Sequence, residues 1–250
     1  MVKYKVLALD LDETVLTRNK SVSEANKKWI KRAADAGVIV VLTTGRGLQR
    51  VERIRQELGL ESPMVLANGA EIWNKPGELV KRFYIKQKDI RMLHAMALES
   101  GGKFWGYNDT DHVKMEDWTD NTFATNFFKF GISHNDERTV QQLRDKLKSS
   151  ETLNITWSSN RIVEISLVNV SKATGIQNLC EHLGFEMAEV MAIGDNRNDL
   201  ELIQAAGLGI AMGNAEKELK EVADQITTTN EEDGVARAIQ KYLFKEDVSL

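Results

Sequence analysis

Short apolar runs alternate with segments of helical spacing over the first third of the chain. Three runs predict buried strands: "YKVLAL" (4–9), "VIVVL" (38–42) and "MVLA" (64–67). Two segments between them, 21–37 and 48–59, repeat apolar residues on one helical face and end at a glycine. Ser21 and Glu24 have the spacing of a capping box at the start of the first helix. This β-α-β-α-β order predicts an α/β sheet with right-handed crossovers.

The middle of the chain has a different pattern, in which polar and apolar residues alternate and aromatic residues are frequent. The segment "LNITWSSNRIVEISL" (153–167) predicts an antiparallel hairpin that turns at Ser159 and Asn160. We expect a second domain, residues 82–166, to be inserted into a core formed by residues 1–81 and 167–250. Three aromatic residues of the insertion form its own core or stack on a substrate: Trp105, Tyr107 and Trp118.

The alternation of helices and strands resumes after the insertion. Strands are predicted at "EVMAI" (189–193), "LGIAM" (208–212) and "ITTT" (226–229). Helices are predicted at 173–184, 199–207, 215–224 and 234–244. The second half of the core therefore continues the α/β pattern of the first half.

Composition and charge narrow the class of protein. The formal net charge is -4 and the basic residues form no block, which argues against a nucleic-acid partner. Cys180 is the only cysteine, so no intrachain disulfide can form, and its helical surroundings predict a buried thiol. The apolar stretch before Asp10 is too short for a secretion signal, and no run approaches the roughly 20 apolar residues of a membrane helix. We expect a cytoplasmic protein without membrane partners.

Polar residues follow three of the predicted strands directly. Asp10 and Asp12 come after "VLAL", Thr43 and Thr44 come at the end of the next buried run, and "GDNRND" (194–199) comes after "VMAI". In open α/β sheets the carboxyl ends of the strands are the edge at which ligands bind. These separate parts of the sequence are therefore expected to meet at one site.

The acids of these clusters point to metal and phosphoryl chemistry. Asp10, Asp12, Asp195 and Asp199 would supply oxygen ligands, with no histidine or cysteine beside them. Such hard ligands favour Mg²⁺, which binds one or two carboxylates together with water and a substrate phosphate. One aspartate can attack phosphorus as a nucleophile while its neighbour two residues on donates a proton to the leaving oxygen. Taken alone, "GDNRND" could be a turn or a calcium loop, although it lacks the downstream glutamate of an EF-hand.

Three further residues suit a phosphate ligand. The Thr44 hydroxyl and the amide of Gly45 can approach phosphoryl oxygens closely. Lys172 stands just ahead of a predicted helix, so its positive charge and the helix N-terminus could act on the same anion. In phosphoryl transfer, positioning and charge stabilisation supply most of the catalysis. Arg46 has two interpretations, because it could contact a substrate or pair with an acid.

At these residues the sequence resembles the haloacid dehalogenase superfamily of phosphohydrolases. "DLDET" (10–14), Thr44, Lys172 and "GDNRNDL" (194–200) match its four motifs in order. Segments such as "LANGAEI" (66–72) and "EEDGVARAI" (231–239) are similar to the Cof-type branch. The resemblance implies a Rossmann-like, doubly wound parallel core with an inserted α+β cap of the C2B type.

The resemblance also implies a role for each matching residue. Asp10 would attack phosphorus, and Asp12 would act as the acid and then as the base that activates water. Mg²⁺ would be bound by Asp10, the carbonyl of Asp12 and Asp195, with Asp199 supporting them. The phosphate would be held by the Leu11 amide, Thr44, Gly45, Lys172 and Asn198. Glu13 stands where this branch most commonly has glycine.

The function favoured by the sequence is Mg²⁺-dependent hydrolysis of a small phosphorylated metabolite, most plausibly a sugar phosphate, through an aspartyl-phosphate. One alternative is a catalytically idle sensor of a phosphorylated ligand or a partner-binding module, which the presence of both Asp10 and Asp12 disfavours. A second alternative is a phosphosugar mutase. We expect a monomer or a weak homo-oligomer.

Overall fold

A computed structural model describes residues 3–110, 112–157 and 159–246 of the chain. It divides into two compact units, one formed by Met1–Lys81 with Ser171–Leu250 and the other by Arg82–Val170. The described strands are β1 Val6–Leu9, β2 Ile39–Thr43, β3 Met64–Leu66, β4 Glu71–Lys75, β5 Glu78–Arg82, β6 Lys103–Asn108, β7 His112–Lys114, β8 Phe127–Ser133, β9 Leu153–Thr156, β10 Ile162–Leu167, β11 Val190–Gly194, β12 Leu208–Ala211 and β13 Gln225–Ile226. The described α-helices are α1 Glu24–Asp35, α2 Leu48–Glu57, α3 Gln87–Ser100, α4 Glu137–Leu147, α5 Lys172–Leu183, α6 Leu200–Ala205, α7 Lys217–Val222 and α8 Gly234–Ala238.

The first unit is built on one sheet with the strand order β13-β12-β11-β1-β2-β3-β4-β5. β1 lies in the middle and pairs in parallel with both β2 and β11, so that Leu9 is level with Leu42 on one side and Ile193 on the other. Every residue of β1 and β11 is buried. This burial on both faces explains why their sequences are continuous apolar runs rather than alternating ones.

The connections wind outward from β1 in two directions. The chain runs from β1 through α1 to β2, and from β11 through α6 to β12 on the opposite side. Right-handed crossovers in opposite directions place their helices on opposite faces of the sheet. The predicted α/β class with a Rossmann-like, doubly wound core is confirmed. The strand order reverses between β1 and β11, and this crevice at their carboxyl ends is where such sheets bind ligands.

Parts of the local prediction for this unit were wrong. β4 pairs antiparallel with β3 and extends the sheet with β5, although the sequence pattern predicted no strand there. The helix α1 is capped by Ser23, whose hydroxyl accepts from Asn26 N–H at 3.1 Å, and not by Ser21. Ser21 is used elsewhere, because its hydroxyl lies 2.9 Å from that of Thr17. The predicted strand 226–229 is reduced to β13.

The second unit has a five-stranded sheet with the order β7-β6-β8-β10-β9. Its pairings are antiparallel, and β9 with β10 forms the predicted hairpin, whose residue Ser158 lies outside the described part of the chain. The helices α3 and α4 contact this sheet. Apolar side chains between helices and strands form a separate core, which includes Phe104, Phe127 and Phe130.

Of the three aromatic residues singled out in the second unit, Trp118 packs against its core, whereas Trp105 and Tyr107 lie outside that cluster. Trp118 stacks on Phe127 with a centroid distance of 4.9 Å and on the ring of His94 at 5.4 Å. Tyr107 is buried and Trp105 covers Gly131, where an added Cβ would lie 2.3 Å from the indole.

Cys180, in α5 of the first unit, is buried as predicted. Among the described residues, the longest apolar helical stretches fall short of what a membrane crossing requires.

Candidate active site

The loop after β1 carries the first two predicted site residues. Asp10 N–H donates to the carbonyl of Ile193 at 3.1 Å, which fixes the end of β1 against β11. The chain then turns sharply through Leu11–Val15, with Glu13 in the left-handed region at φ 59° and ψ 10°. Only glycine adopts this conformation without steric cost, which explains why glycine is usual at this position in the family that the sequence resembles.

A buried lysine joins two of the predicted acids. Lys172 Nζ lies 2.6 Å from Asp10 Oδ1 and 2.6 Å from Asp199 Oδ1. The lysine side chain is fully buried, and the two carboxylates are 7% and 1% exposed. Lys172 is the first residue of α5, so the helix N-terminus holds its backbone at the site. Asp10 follows β1 and Asp199 lies in the loop after β11, so carboxylates from two strand ends meet at the start of α5.

Asp195 and Asp199 are linked by the backbone of the "GDNRND" loop. Asp199 Oδ2 accepts hydrogen bonds from the amides of Asp195 and Asn196, both at 3.2 Å. Asp195 Oδ1 accepts from the hydroxyl of Thr14 at 2.9 Å, so the two loops are tied together. Gly194 permits this packing, because a Cβ there would lie 2.4 Å from Asp199 Cγ.

Burial and mutual repulsion control the charges of this cluster. Burial raises the pKa of Asp10 to about 6, against the opposing effect of Lys172. Burial also raises the pKa of Asp195, and the charges of Asp10 and Asp199 raise it further, to about 9. For Lys172, burial lowers the pKa, but the two neighbouring carboxylates outweigh it and keep the amine cationic. One lysine therefore does not neutralise the site, which retains an excess of acid.

Asp12 points to different partners. Arg46 binds its carboxylate with two hydrogen bonds, Nε to Oδ2 at 2.8 Å and Nη2 to Oδ1 at 2.6 Å, and Lys20 Nζ approaches Oδ1 at 3.1 Å. Burial acts to raise the pKa of Asp12, but the hydrogen bonds and charges of Arg46 and Lys20 lower it to about 2. Of the two interpretations of Arg46, the structure shows the pairing with an acid.

Three of the predicted phosphate residues, Thr44, Gly45 and Asn198, lie in the loops after β2 and β11. Thr44 is buried, and its hydroxyl accepts the amide N–H of Arg46 at 3.2 Å. Gly45 lies against the side chain of Asn68, since a Cβ on Gly45 would be 3.0 Å from Asn68 Oδ1. That same oxygen accepts a hydrogen bond from Asn198 Nδ2 at 3.1 Å. The loops that contain Thr44 and Asn198 are therefore joined through a residue of a third loop.

The acids suit a hard divalent cation. Asp10, Asp195 and Asp199 each bring one carboxylate oxygen to within 4.8 Å of the others, and all three are buried. Oxygen-only ligands of this kind match Mg²⁺, and a divalent charge would offset the repulsion that raises the pKa of Asp195. The carboxylate of Asp12 is outside this group because Arg46 and Lys20 hold it.

Sequence reasoning did not single out three residues that hold the site together: Thr14, Lys20 and Asn68. Thr14 and Lys20 carry no signal of their own, since their roles depend on how the loop turns after Asp10. Asn68 carries one, because asparagine followed by glycine directly after a strand is typical of a left-handed turn.

The fold and the clustered carboxylates together define an α/β protein with a doubly wound sheet and a group of buried acids at the carboxyl edge of that sheet. A sequence profile of haloacid dehalogenase-like hydrolases matches residues 7–129 and 108–239. The chain belongs to this family and is a phosphatase of its Cof-type branch.

Curated relatives and solved structures match over nearly the whole chain. The 5-amino-6-(5-phospho-D-ribitylamino)uracil phosphatase YcsE of Bacillus subtilis is 37% identical over 243 residues, covering 97% of each chain. The pyridoxal phosphate phosphatase YbhA of Escherichia coli is 25% identical, covering 96% of this chain and 99% of the relative. A haloacid dehalogenase-like hydrolase from Bacteroides thetaiotaomicron has a similar fold, with a TM-score of 0.84, 27% identity and coverage of 96% and 99%.

Proposed function

We propose that the chain hydrolyses a phosphomonoester in an Mg²⁺-dependent reaction that passes through a phosphorylated Asp10. The observation that carries the proposal is the buried contact of Lys172 with Asp10 and Asp199, beside Asp195. A buried carboxylate paired with a lysine stays ionised near neutral pH, as a nucleophile must. The same lysine supplies positive charge for a phosphoryl group that arrives at Asp10.

Asp10, Asp195 and the main chain of Asp12 would hold Mg²⁺, with Asp199 fixing the amide of Asp195. When bound, the cation would shield the substrate's phosphate charge from the carboxylates. Thr44, Gly45, Lys172, Asn198 and the Leu11 amide would hold the phosphoryl oxygens.

Asp12 is the proposed proton carrier. Two cations hold its carboxylate, which favours the ionised form that activates water in the second half of the reaction. In the first half the same group must donate a proton to the leaving oxygen, so at least one of Arg46 and Lys20 has to release it when substrate binds. If Arg46 is the cation that releases Asp12, its guanidinium can contact the substrate.

For the substrate, we infer a small metabolite with a phosphorylated sugar-like chain. The support is the relative that is 37% identical along nearly its whole length and acts on a phosphate carried by a ribityl chain. The inserted domain, residues 82–166 by sequence, is proposed to select the organic part of the substrate. The support is that this domain has its own core and sheet, separate from the sheet that carries the acids.

Phosphate release from a panel of phosphorylated metabolites, with and without Mg²⁺, tests the proposal. The panel includes sugar phosphates, 5-amino-6-(5-phospho-D-ribitylamino)uracil and pyridoxal phosphate, and compares the native chain with Asp10→Asn. We expect metal-dependent turnover that the substitution abolishes. Equal, negligible rates for both proteins would contradict the proposal, and phosphosugar isomerisation without free phosphate would indicate a mutase instead.

A further inference from the structure

The turn that follows β3 has an unusual backbone. Ala67, Asn68 and Gly69 have φ values of 50°, 56° and 98°, so three consecutive residues lie in the left-handed region. Two of them are not glycine, and alanine rarely adopts this conformation. A backbone outlier of this kind persists only where its surroundings fix it, and it is found most often at functional sites.

The surroundings of this turn are the segments of the proposed active site. Ala67 N–H donates to the carbonyl of Arg46, and Asn68 N–H donates to the carbonyl of Thr44, both at 2.9 Å. Gly69 packs against Ser171, the residue before Lys172, so closely that an added Cβ would lie 2.1 Å from the Ser171 carbonyl oxygen. The turn therefore fills the space between the loop after β2 and the start of α5.

The side chain of Asn68 links the turn to the loop after β11. Asn68 is 6% exposed, and its Oδ1 accepts from Asn198 Nδ2 at 3.1 Å. Asn198 Oδ1 is buried and, within the described residues, has no hydrogen-bond partner. Over the same residues, no acceptor receives a hydrogen bond from Asn68 Nδ2. Within the pair, Asn198 Nδ2 and Asn68 Oδ1 are hydrogen-bonded to each other, whereas Asn68 Nδ2 and Asn198 Oδ1 are not used.

A half-turn of both carboxamides would exchange their roles. Asn68 Nδ2 would then donate to Asn198 Oδ1, and the unused donor would belong to Asn198. In either arrangement one of the two NH₂ groups donates to no atom of the pair and is available to a ligand. This donor lies beside Gly45, in a site that already contains the hydroxyl of Thr44 and the cation of Lys172.

We propose that Asn68 belongs to the phosphate-binding machinery, where it forms with Asn198 an amide pair that donates one hydrogen bond to a phosphoryl oxygen. This inference rests on the proposed phosphatase function and adds to it a residue outside the four matched motifs. An anion with several acceptor oxygens uses the spare donor, which a purely structural amide pair would leave without a partner.

Two substitutions separate the amide's function from the conformation of the turn. Asn68→Gly keeps a residue that adopts positive φ freely but removes the carboxamide. Asn68→Asp keeps an acceptor for Asn198 Nδ2, but it supplies no donor and adds a negative charge. Asn169→Gly is the matched control, because Asn169 also has positive φ, at 61°, and is exposed in the other unit.

The measurements are kcat and KM for the best substrate, inhibition by inorganic phosphate, and calorimetric binding of inorganic phosphate with Mg²⁺, together with the melting temperature. We expect Asn68→Gly to melt no lower than the native chain while losing about tenfold to a hundredfold in phosphate affinity and in kcat/KM. Asn68→Asp should lose at least as much, and Asn169→Gly should match the native chain in both quantities.

Two results would overturn the proposal. Phosphate affinity and kcat/KM of Asn68→Gly within about twofold of native would limit Asn68 to a conformational role. A weakened Asn68→Gly beside a fully active Asn68→Asp would limit it to orienting Asn198. If the native chain hydrolyses no substrate, the proposed function fails, but calorimetry with inorganic phosphate still tests the amide pair. A native chain that binds no phosphate refutes both.

Discussion

Replacing Lys172 with methionine would remove the cation that two buried carboxylates share while keeping the length and most of the volume of the side chain. Lys172 Nζ lies 2.6 Å from Asp10 Oδ1 and from Asp199 Oδ1, and its side chain is fully buried. Breaking a buried ion pair by removing one partner typically costs about 3–5 kcal/mol, because a charge is left unpaired away from water. We expect Lys172→Met to lose free energy of unfolding in that range near pH 8 in EDTA.

Lys20→Met is the matched control. Lys20 also approaches two carboxylates, those of Asp12 and Glu13, each at 3.1 Å, but its side chain is 51% exposed. Ion pairs in contact with water contribute at most about 1 kcal/mol. The control should therefore lose far less stability than Lys172→Met, although both variants remove a lysine that bridges two acids.

The loss at Lys172 should depend on pH. Burial already raises the pKa of Asp10 to about 6 in the presence of Lys172, and removing the lysine raises it further. A carboxyl group whose pKa is raised in the folded state stabilises that state as pH falls, because the folded chain then takes up protons that the unfolded chain does not. The difference in unfolding free energy between the native chain and Lys172→Met should therefore become smaller as the pH falls from about 8 to about 6.

Urea unfolding of the native chain and both variants, in EDTA and over this pH range, measures these differences. Addition of Mg²⁺ should restore part of the stability of Lys172→Met, since a ligand that binds only the folded state stabilises it. A loss of less than about 1 kcal/mol for Lys172→Met in EDTA, equal to that of Lys20→Met, would refute the argument that this lysine compensates the buried acids.

Substitutions at three other positions test the packing and electrostatics of the two units by urea unfolding. Gly175→Ala should lose about 1–3 kcal/mol, because its Cβ would lie 2.5 Å from Val65 Cγ1. Glu13→Gly should be more stable than Glu13→Ala by about 1 kcal/mol, since both remove the carboxylate and only alanine keeps a Cβ at φ 59°. Burial lowers the pKa of His94 below its ordinary value of 6.5, so the unfolded chain takes up a proton at this histidine more readily than the folded chain. The native chain should therefore lose stability as the pH falls below 6.5, and His94→Gln should lack this loss.

Each of these expectations has a clear contrary result. An unchanged unfolding free energy in Gly175→Ala would mean that α5 moves away from β3 without cost. Equal stabilities of the two Glu13 variants would show that the left-handed turn carries no strain. If the stabilities of the native chain and of His94→Gln depend on pH in the same way, His94 is not a source of the acid sensitivity; His182→Gln, at an exposed histidine, is the control.

The strands nearest the middle of the core sheet could be predicted because they are buried on both faces. β1 and β2 are continuous apolar runs for that reason, and their order along the chain is enough to indicate a parallel sheet. β4 and β5 lie at the edge and contain several polar residues, so no uniform apolar run marks them. Ser21 was predicted as the cap in place of Ser23 because the sequence does not show the contact between the hydroxyls of Ser21 and Thr17.

The members of the site could be predicted to the extent that they follow buried strands. Asp10 and Asp195 lie close together because their parallel strands end at one edge, and Thr44 follows the neighbouring strand at the same edge. The pairing of Asp12 with Arg46 could not be assigned, because it depends on side-chain conformations in two loops. Asn68 was missed for the same reason, although its left-handed turn has a sequence signal.

Identification of the phosphorylated residue tests the central claim most directly. Asp12→Asn removes both the acid that protonates the leaving oxygen and the base that activates water, so the substrate is 4-nitrophenyl phosphate, whose leaving group departs without a proton. An aspartyl-phosphate should then accumulate when this variant is mixed with that substrate and Mg²⁺ and quenched with acid. Mass spectrometry of the peptides should find one added phosphoryl group at Asp10, and none in Asp10→Asn. The account is contradicted if the native chain turns over substrate but Asp12→Asn gives no phosphorylated Asp10, or if the phosphoryl group is found on another residue.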